Sequence, residues 1–269
     1  MESQYSSYLC CPACKADLTL NIQNPVNGLL KTTFQCSSCK RDYDVTDGII
    51  QFLEPGEVPK FSKRMNMMRK IYAWIYSPAT RAMFIPCGGE SKARHEVLDR
   101  LDIFRGAIIL ETGIGCGDNL PILKPRYGSG TYFGLDNQKR MLQTCTANLK
   151  KWDIEAELHL ADAEQLPYKD NMFDVVFHLG AFNLFRKKKQ ALDEMIRVAK
   201  PGAKILIADE TEKASKLYSI LLGKLEPVIL PLHLVPDEMQ EKRLDIIWNS
   251  YGYVLTFRKP QKNQYQIRY

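Results

Sequence analysis

The 269-residue chain lacks any apolar run approaching the roughly 18–20 residues that a membrane-spanning helix needs. Its best candidate, residues 221–235, is interrupted by Lys224, Glu226, Pro227 and Pro231. The first ten residues hold no basic side chain and no apolar block, so no secretory leader is read there. Acidic residues are missing from the whole of residues 58–89. With 45% hydrophobic and 25% charged residues the composition is that of a globular protein, which excludes general disorder. A soluble, cytoplasmic protein is expected, with one large domain or a large domain and a small companion.

The net charge of +6 is unevenly spread. Residues 1–57 carry four bases and seven acids, whereas residues 58–89 carry six bases and no acid. The remaining 27 bases and 24 acids lie in residues 90–269. A basic run of this kind is either a solvated helix face or a surface for an acidic partner.

Eight cysteines are present, at 10, 11, 14, 36, 39, 87, 116 and 145. Four of them form Cys11-Pro-Ala-Cys14 and Cys36-Ser-Ser-Cys39. Two such knuckles bring four thiolates to one tetrahedral ion, so structural zinc is expected at Cys11, Cys14, Cys36 and Cys39. Cys10 could stand in for Cys11, at a less regular spacing from Cys14. A redox dithiol needs only one pair, and disulfides are disfavoured without a secretion signal. With four thiolates bound the ion has no open position, which argues against catalytic zinc. Leu18–Ile22, Thr32–Gln35, Tyr43–Thr46 and Ile49–Leu53 read as strands, the last two joined by Asp47-Gly48. That pattern is a zinc ribbon, and the metal supplies stability that a core of about 55 residues cannot. The segment resembles the small zinc-ribbon proteins that partner methyltransferases in translation, and the ribbons fused ahead of some methyltransferases, including ribosomal RNA guanine methyltransferases. A protein partner for the ribbon is therefore one expectation.

From Ala107 onward apolar strands alternate with helical stretches, predicting an α/β fold with a parallel sheet covered on both faces. Strands are read at 107–110, 131–135, 155–160, 173–177 and 204–208, and helices at 138–150 and 188–198. The first strand runs into Glu111-Thr112-Gly113-Ile114-Gly115-Cys116-Gly117, and the second ends in Asp136. A glycine loop after one strand and an acid at the end of the next make a nucleoside site, the acid accepting both ribose hydroxyls. The loop lacks the glycine three residues after Gly115 that a dinucleotide loop requires; Asp118 stands there instead. Glu111 would repel a pyrophosphate and welcome an α-ammonium or a sulfonium. These residues favour S-adenosylmethionine over NAD.

Leu110–Gly117, Tyr132–Asp136, Leu160–Leu166 with Phe173–Phe177, and Arg197–Ala203 together resemble the class I S-adenosylmethionine-dependent methyltransferases, in the type 11 branch that includes ubiquinone/menaquinone-biosynthesis enzymes. The resemblance implies a Rossmann-like sheet of seven strands, the last antiparallel, with Ile246–Trp248 and Tyr253–Arg258 as candidates for strands six and seven. It implies that Glu111, Gly113, Gly115 and Gly117 wrap the methionine part of the cofactor, that Asp136 holds the ribose, and that Asn137 and Met141 border the adenosine. Asp162 and Ala163 would take the adenine, and His178 to Gly180 would close the site from the other side.

No catalytic residue is assigned, because methyl transfer from a sulfonium needs alignment and water exclusion more than acid–base chemistry. His178 is the best-placed histidine should a base be used; Asn183, Tyr168 and His233 are weaker candidates. Cys87, Cys116 and Cys145 are not grouped by any motif. Three units are thus expected: a ribbon over 1–57, a basic aromatic helix over 58–89 that resembles the cap of an acceptor pocket, and a cofactor-binding domain over 90–269. The expected activity is methyl transfer to a small-molecule or lipid/quinone-like acceptor. The alternatives are an RNA (rRNA guanine) methyltransferase and a non-catalytic regulatory scaffold. Against RNA, the ribbon carries a net charge of −3 where a phosphate-gripping module should be basic.

Overall fold

A computed structural model describes residues 6–26, 29–53, 84–85, 88–216 and 227–261. The basic helix expected over 58–89 falls almost entirely outside the described residues.

Among the described residues, eleven strands follow one another across a single hydrogen-bonded array. The amino-terminal four are β1 (Leu18–Val26), β2 (Leu29–Cys36), β3 (Asp42–Thr46) and β4 (Ile49–Gln51). They pair antiparallel in chain order, Leu18 opposite Cys36 and Thr46 opposite Ile49. The β3–β4 turn is Asp47-Gly48, both with positive φ (54° and 78°), the left-handed geometry a two-residue hairpin needs.

The remaining seven strands are β5 (Ile108–Thr112), β6 (Thr131–Asp136), β7 (Glu157–Leu160), β8 (Phe173–Leu179), β9 (Ala199–Glu210), β10 (Gln240–Ile247) and β11 (Gly252–Arg258). Their spatial order is β7-β6-β5-β8-β9-β11-β10. The first five are parallel, and β11 runs antiparallel to both β9 and β10. This is the seven-strand plan expected from the sequence, with the reversed strand placed last. The helices α1 (Glu90–Leu98), α2 (Leu120–Tyr127), α3 (Lys139–Trp152) and α4 (Lys188–Val198) accompany it. On α3, Met141, Leu142, Cys145 and Leu149 are buried, the i, i+1, i+4, i+8 stripe of a helix lying on a sheet. Two buried clusters, one on each face, hold the sheet between them. Leu192 and Met195 of α4 belong to one, and Leu142 and Cys145 of α3 to the other.

The ribbon does not stand apart. Its strand β4 pairs in parallel with β7, Ile50 beside His159 and Gln51 beside Leu160, and Phe52 N–H continues the ladder to the Leu160 carbonyl at 2.8 Å. A second seam joins Leu9 to Tyr168 in an antiparallel bridge, flanked by Cys10 N–H on Pro167 O and Lys169 N–H on Tyr8 O. The β7 edge is therefore capped from within the chain, which removes an open edge that would invite aggregation.

Candidate active site

Parallel register aligns the carboxyl ends of four strands. Thr112 lies beside Leu135 on one side and His178 on the other, and Asp136 lies beside Leu160. With strands about 4.8 Å apart, the ends of β6 and β8 are roughly 10 Å apart across β5. The glycine loop leaves β5 between them. Gly113, Gly115 and Gly117 all have positive φ (71°, 57° and 81°). At Gly113 the conformation is required twice over, since a Cβ there would meet the His178 ring at 2.8 Å.

Glu111 lies beneath the loop and is fully buried. Its Oε1 accepts from Asn119 Nδ2 at 2.6 Å, and its Oε2 accepts from the Tyr132 hydroxyl. Asn119 in turn accepts from Arg94 Nη1 at 2.7 Å, and Arg94 pairs with Glu90 at 2.8 Å and Asp118 at 3.6 Å. Burial pushes the Glu111 carboxyl up to about 7, against the pull of the Tyr132 and Asn119 hydrogen bonds and the Arg94 charge.

Asp136 is nearly buried at the end of β6. Its Oδ2 accepts from Gly115 N–H at 3.1 Å and its Oδ1 from Gln138 N–H at 2.8 Å, tying the loop to the next strand. Each carboxylate oxygen has a second lone pair, so the group keeps acceptor capacity for a diol. Asn137 follows half-buried, and Met141 is buried on the first turn of α3. Asp162 follows β7, its Oδ1 accepting from Glu164 N–H at 2.9 Å, and burial raises its carboxyl. Ala163 is buried beside it.

His178 closes the row. Its Nδ1 lies 2.6 Å from the Thr112 carbonyl, which can only accept, so Nδ1 carries the proton and Nε2 the lone pair. The ring sits 4.8 Å from Phe185 and 5.9 Å from Phe182. Burial lowers its pKa to about 4, so the imidazole is neutral.

Of the weaker histidine and polar candidates, His233 is exposed in a short 3-10 turn, and Tyr168 is buried against His159. Asn183 lies near the site, donating to the Glu210 carbonyl at 2.8 Å. Burial pushes the Cys116 thiol up to about 12 and Cys145 higher still, which leaves both poor nucleophiles.

Five residues of this edge were not singled out from the sequence. Arg94, Asn119 and Tyr132 come from three separate segments; Asn119 and Tyr132 bond Glu111 directly, and Arg94 is linked to it through Asn119. The other two, Asp209 and Glu210, end β9; Asp209 accepts from the backbone N–H groups of Ala181, Asn183 and Glu210. Burial raises both carboxyls, and the adjacent Asp209 charge raises Glu210 further. The acids ending an apolar strand were a readable signal; the Arg94 network was not.

At the ribbon end, the Sγ atoms of Cys11, Cys14, Cys36 and Cys39 all lie within 4.8 Å of one another. A tetrahedral ion with metal–sulfur bonds near 2.3 Å needs sulfurs about 3.8 Å apart, and the pairs Cys11–Cys39 and Cys14–Cys36 stand at 3.6 and 3.4 Å. The four-thiol set therefore fits a zinc ion, and Cys10 is outside it.

A methyltransferase-domain family model matches residues 109–202, which span the glycine loop, Asp136, Asp162 and His178. Ubiquinone/menaquinone biosynthesis C-methyltransferase from Blochmanniella floridana is 29% identical over 143 residues, 52% of this chain and 54% of the relative. The chain thus spans about half the length of that curated relative. An S-adenosylmethionine-dependent methyltransferase from Aquifex aeolicus superposes with a TM-score of 0.51 at 21% identity, covering 74% of this chain and 98% of its own. A structure from Haloferax volcanii, a methyltransferase activator in complex with a putative methyltransferase, gives a TM-score of 0.54 at 18% identity, covering 68% and 96%. Sheet order, loop and family match agree: the fold is that of the class I methyltransferases. Residues 109–202 match the methyltransferase-domain family, with a four-cysteine cluster ahead of them.

Proposed function

We propose that the protein transfers a methyl group from S-adenosylmethionine to a small-molecule acceptor of the lipid or quinone type. The reading rests on one observation: the glycine loop, Asp136, Asp162 and His178 share the carboxyl edge of four adjacent parallel strands, where α/β sheets bind their ligands. In this reading Gly113, Gly115 and Gly117 give the cofactor's methionine part close access to backbone, over Glu111. Asp136 accepts the ribose hydroxyls, Asn137 and Met141 flank the adenosine, and Asp162 with Ala163 meets the adenine. The bound cofactor supplies an electrophilic methyl group on a sulfonium. The chain's own part is to align the acceptor and exclude water. The acceptor class follows the activity named for the curated relative, a C-methyltransferase of ubiquinone/menaquinone biosynthesis.

Zinc at Cys11, Cys14, Cys36 and Cys39 belongs to the same proposal, as a structural ion. Residues 1–57 are then the ribbon and 90–269 the catalytic domain. Incubation with cofactor labelled in its methyl group, offered lipid extract, total RNA and total protein in parallel, tests the reading. Label in the lipid fraction supports it. Label in RNA alone replaces the acceptor class, and cofactor binding with no labelled product leaves a scaffold.

A further inference from the structure

The joint between ribbon and sheet holds a cavity of about 240 Å³. Pro12, Ala13 and Arg41 line it from the ribbon, and Arg186 and Lys187, just ahead of α4, line it from the catalytic side. Of the residues assigned above to the cofactor, only Asp162 reaches it. The space is far larger than the roughly 10–15 Å³ one water needs, and smaller than the roughly 300–1,000 Å³ of a drug-sized site. Its size suits an occupant no larger than a polar headgroup.

Charge decides what that occupant is. The wall carries three cations, Arg41, Arg186 and Lys187, against two carboxylates, Asp162 and Glu164. The three cations are exposed and, among the described residues, none is ion-paired. This sets them apart from Arg94, Arg100, Arg126, Arg197, Arg243 and Arg258, each of which holds a carboxylate. The two acids of the wall are turned to backbone instead. Asp162 Oδ1 accepts from Glu164 N–H at 2.9 Å, and Glu164 Oε1 accepts from Arg186 N–H and Lys187 N–H, both at 2.9 Å. Those two N–H groups are thereby spent, and the side-chain cations are what the cavity offers. Like charges around one space repel, and an anion between them relieves the repulsion. A phosphate meets the planar forks of two arginines and the point charge of a lysine through separate oxygens.

We propose that this cavity binds a phosphate ester, held by Arg41 from the ribbon and by Arg186 and Lys187 from the catalytic side. The bound group bridges the two units on the ribbon side of Asp162. The site is separate from that of the methyl acceptor and stands whatever the acceptor is.

Calorimetry with glycerol 3-phosphate at fixed ionic strength is the test. The wild-type protein should bind one equivalent, ignore glycerol, and keep the ester when S-adenosylhomocysteine is added. Arg186→Gln combined with Lys187→Gln should weaken binding by at least about 10-fold, the scale of charge-assisted hydrogen bonds. Arg41→Gln, checked for an unchanged zinc content, should weaken it from the ribbon side by about 3- to 10-fold. A second arm separates the sources of the phosphate, by flotation with phosphatidylcholine vesicles alone and with phosphatidic acid. Retention on the phosphatidic acid vesicles that the double variant loses identifies a lipid headgroup, and solution binding without retention identifies a free ester; either supports the site. Absence of binding in both arms, variants that bind as the wild type does, or displacement by S-adenosylhomocysteine overturns the proposal. Single-stranded RNA held through Arg41, Arg186 and Lys187 where both esters fail also overturns it, in favour of a nucleic-acid surface.

Discussion

Ile50 of the ribbon stands in parallel register beside His159 of the methyltransferase sheet. Two residues on, Phe52 packs its ring 5.0 Å from Tyr43 and 5.8 Å from His159. The Tyr43 hydroxyl lies 3.1 Å from Cys11 Sγ. A continuous buried path thus runs from the thiol cluster to β7, and β7 leads into Asp162.

Metal removal should therefore be felt beyond the ribbon. Cys36→Ser is expected to take bound zinc from one equivalent to none and to lower the thermal midpoint of the whole protein by at least roughly 5 °C. Elemental analysis and a melting curve followed at the tryptophans check this. A metal-free protein with an unchanged midpoint would show that the cluster holds no structural ion.

Phe52→Ala probes the joint itself. The side chain is 4% exposed and is shared by ribbon and sheet. Its truncation should cost about 3–5 kcal/mol, the range for emptying a packed aromatic site. Urea denaturation measures it, and a loss below about 1 kcal/mol would mean that the two units barely lean on each other.

Asp136→Ala should weaken S-adenosylhomocysteine binding by about 1.5–3 kcal/mol, the worth of hydrogen bonds to a charged group. It also frees the Gly115 N–H now bonded to Oδ2. Asp136→Asn is expected to fall between the two proteins, since an amide keeps one acceptor. Unchanged affinity by calorimetry would take Asp136 out of the site.

Glu111 carries a pH signature. Its folded-state pKa of about 7 lies above its ordinary value of 4.5, because burial penalises the charged form. The folded state therefore binds the proton more tightly than the unfolded one. That contribution is complete below pH 4.5 and is lost as pH rises through about 7, amounting to about 3 kcal/mol. Buried His159 and His178, lowered to about 3 and about 4, act in the opposite sense below pH 6.5. Subtracting the stability–pH curve of Glu111→Gln from that of wild type isolates the carboxyl. A difference that stays flat from pH 5 to 8 would refute the assignment.

Gly113→Ala meets two penalties, a left-handed backbone and a Cβ 2.8 Å from the His178 ring. It should destabilise the fold by about 1–3 kcal/mol and displace His178. Gly180→Ala is the control: the φ there is +83°, but nothing lies within 4 Å of the added methyl. A deficit no larger at Gly113 than at Gly180 would mean that the ring yields freely.

Much of this molecule is local and was therefore legible in the chain. Cysteine knuckles, the glycine loop and the acid closing the next strand are short-range patterns, because each serves one turn or one strand end. The helix over 188–198 and the seven-strand alternation follow from period and punctuation. Relations between distant segments were not legible. Nothing near Ile50 announces His159, since an edge strand finds its partner by tertiary fit rather than by any mark in its own sequence. Arg94, Asn119 and Tyr132 are unremarkable one by one and acquire a role only when packing sets them around a carboxylate that burial would otherwise neutralise. His178 was visible as a strand-end histidine. Which nitrogen holds its proton was decided by the Thr112 carbonyl, 66 residues away in sequence and one strand away in space.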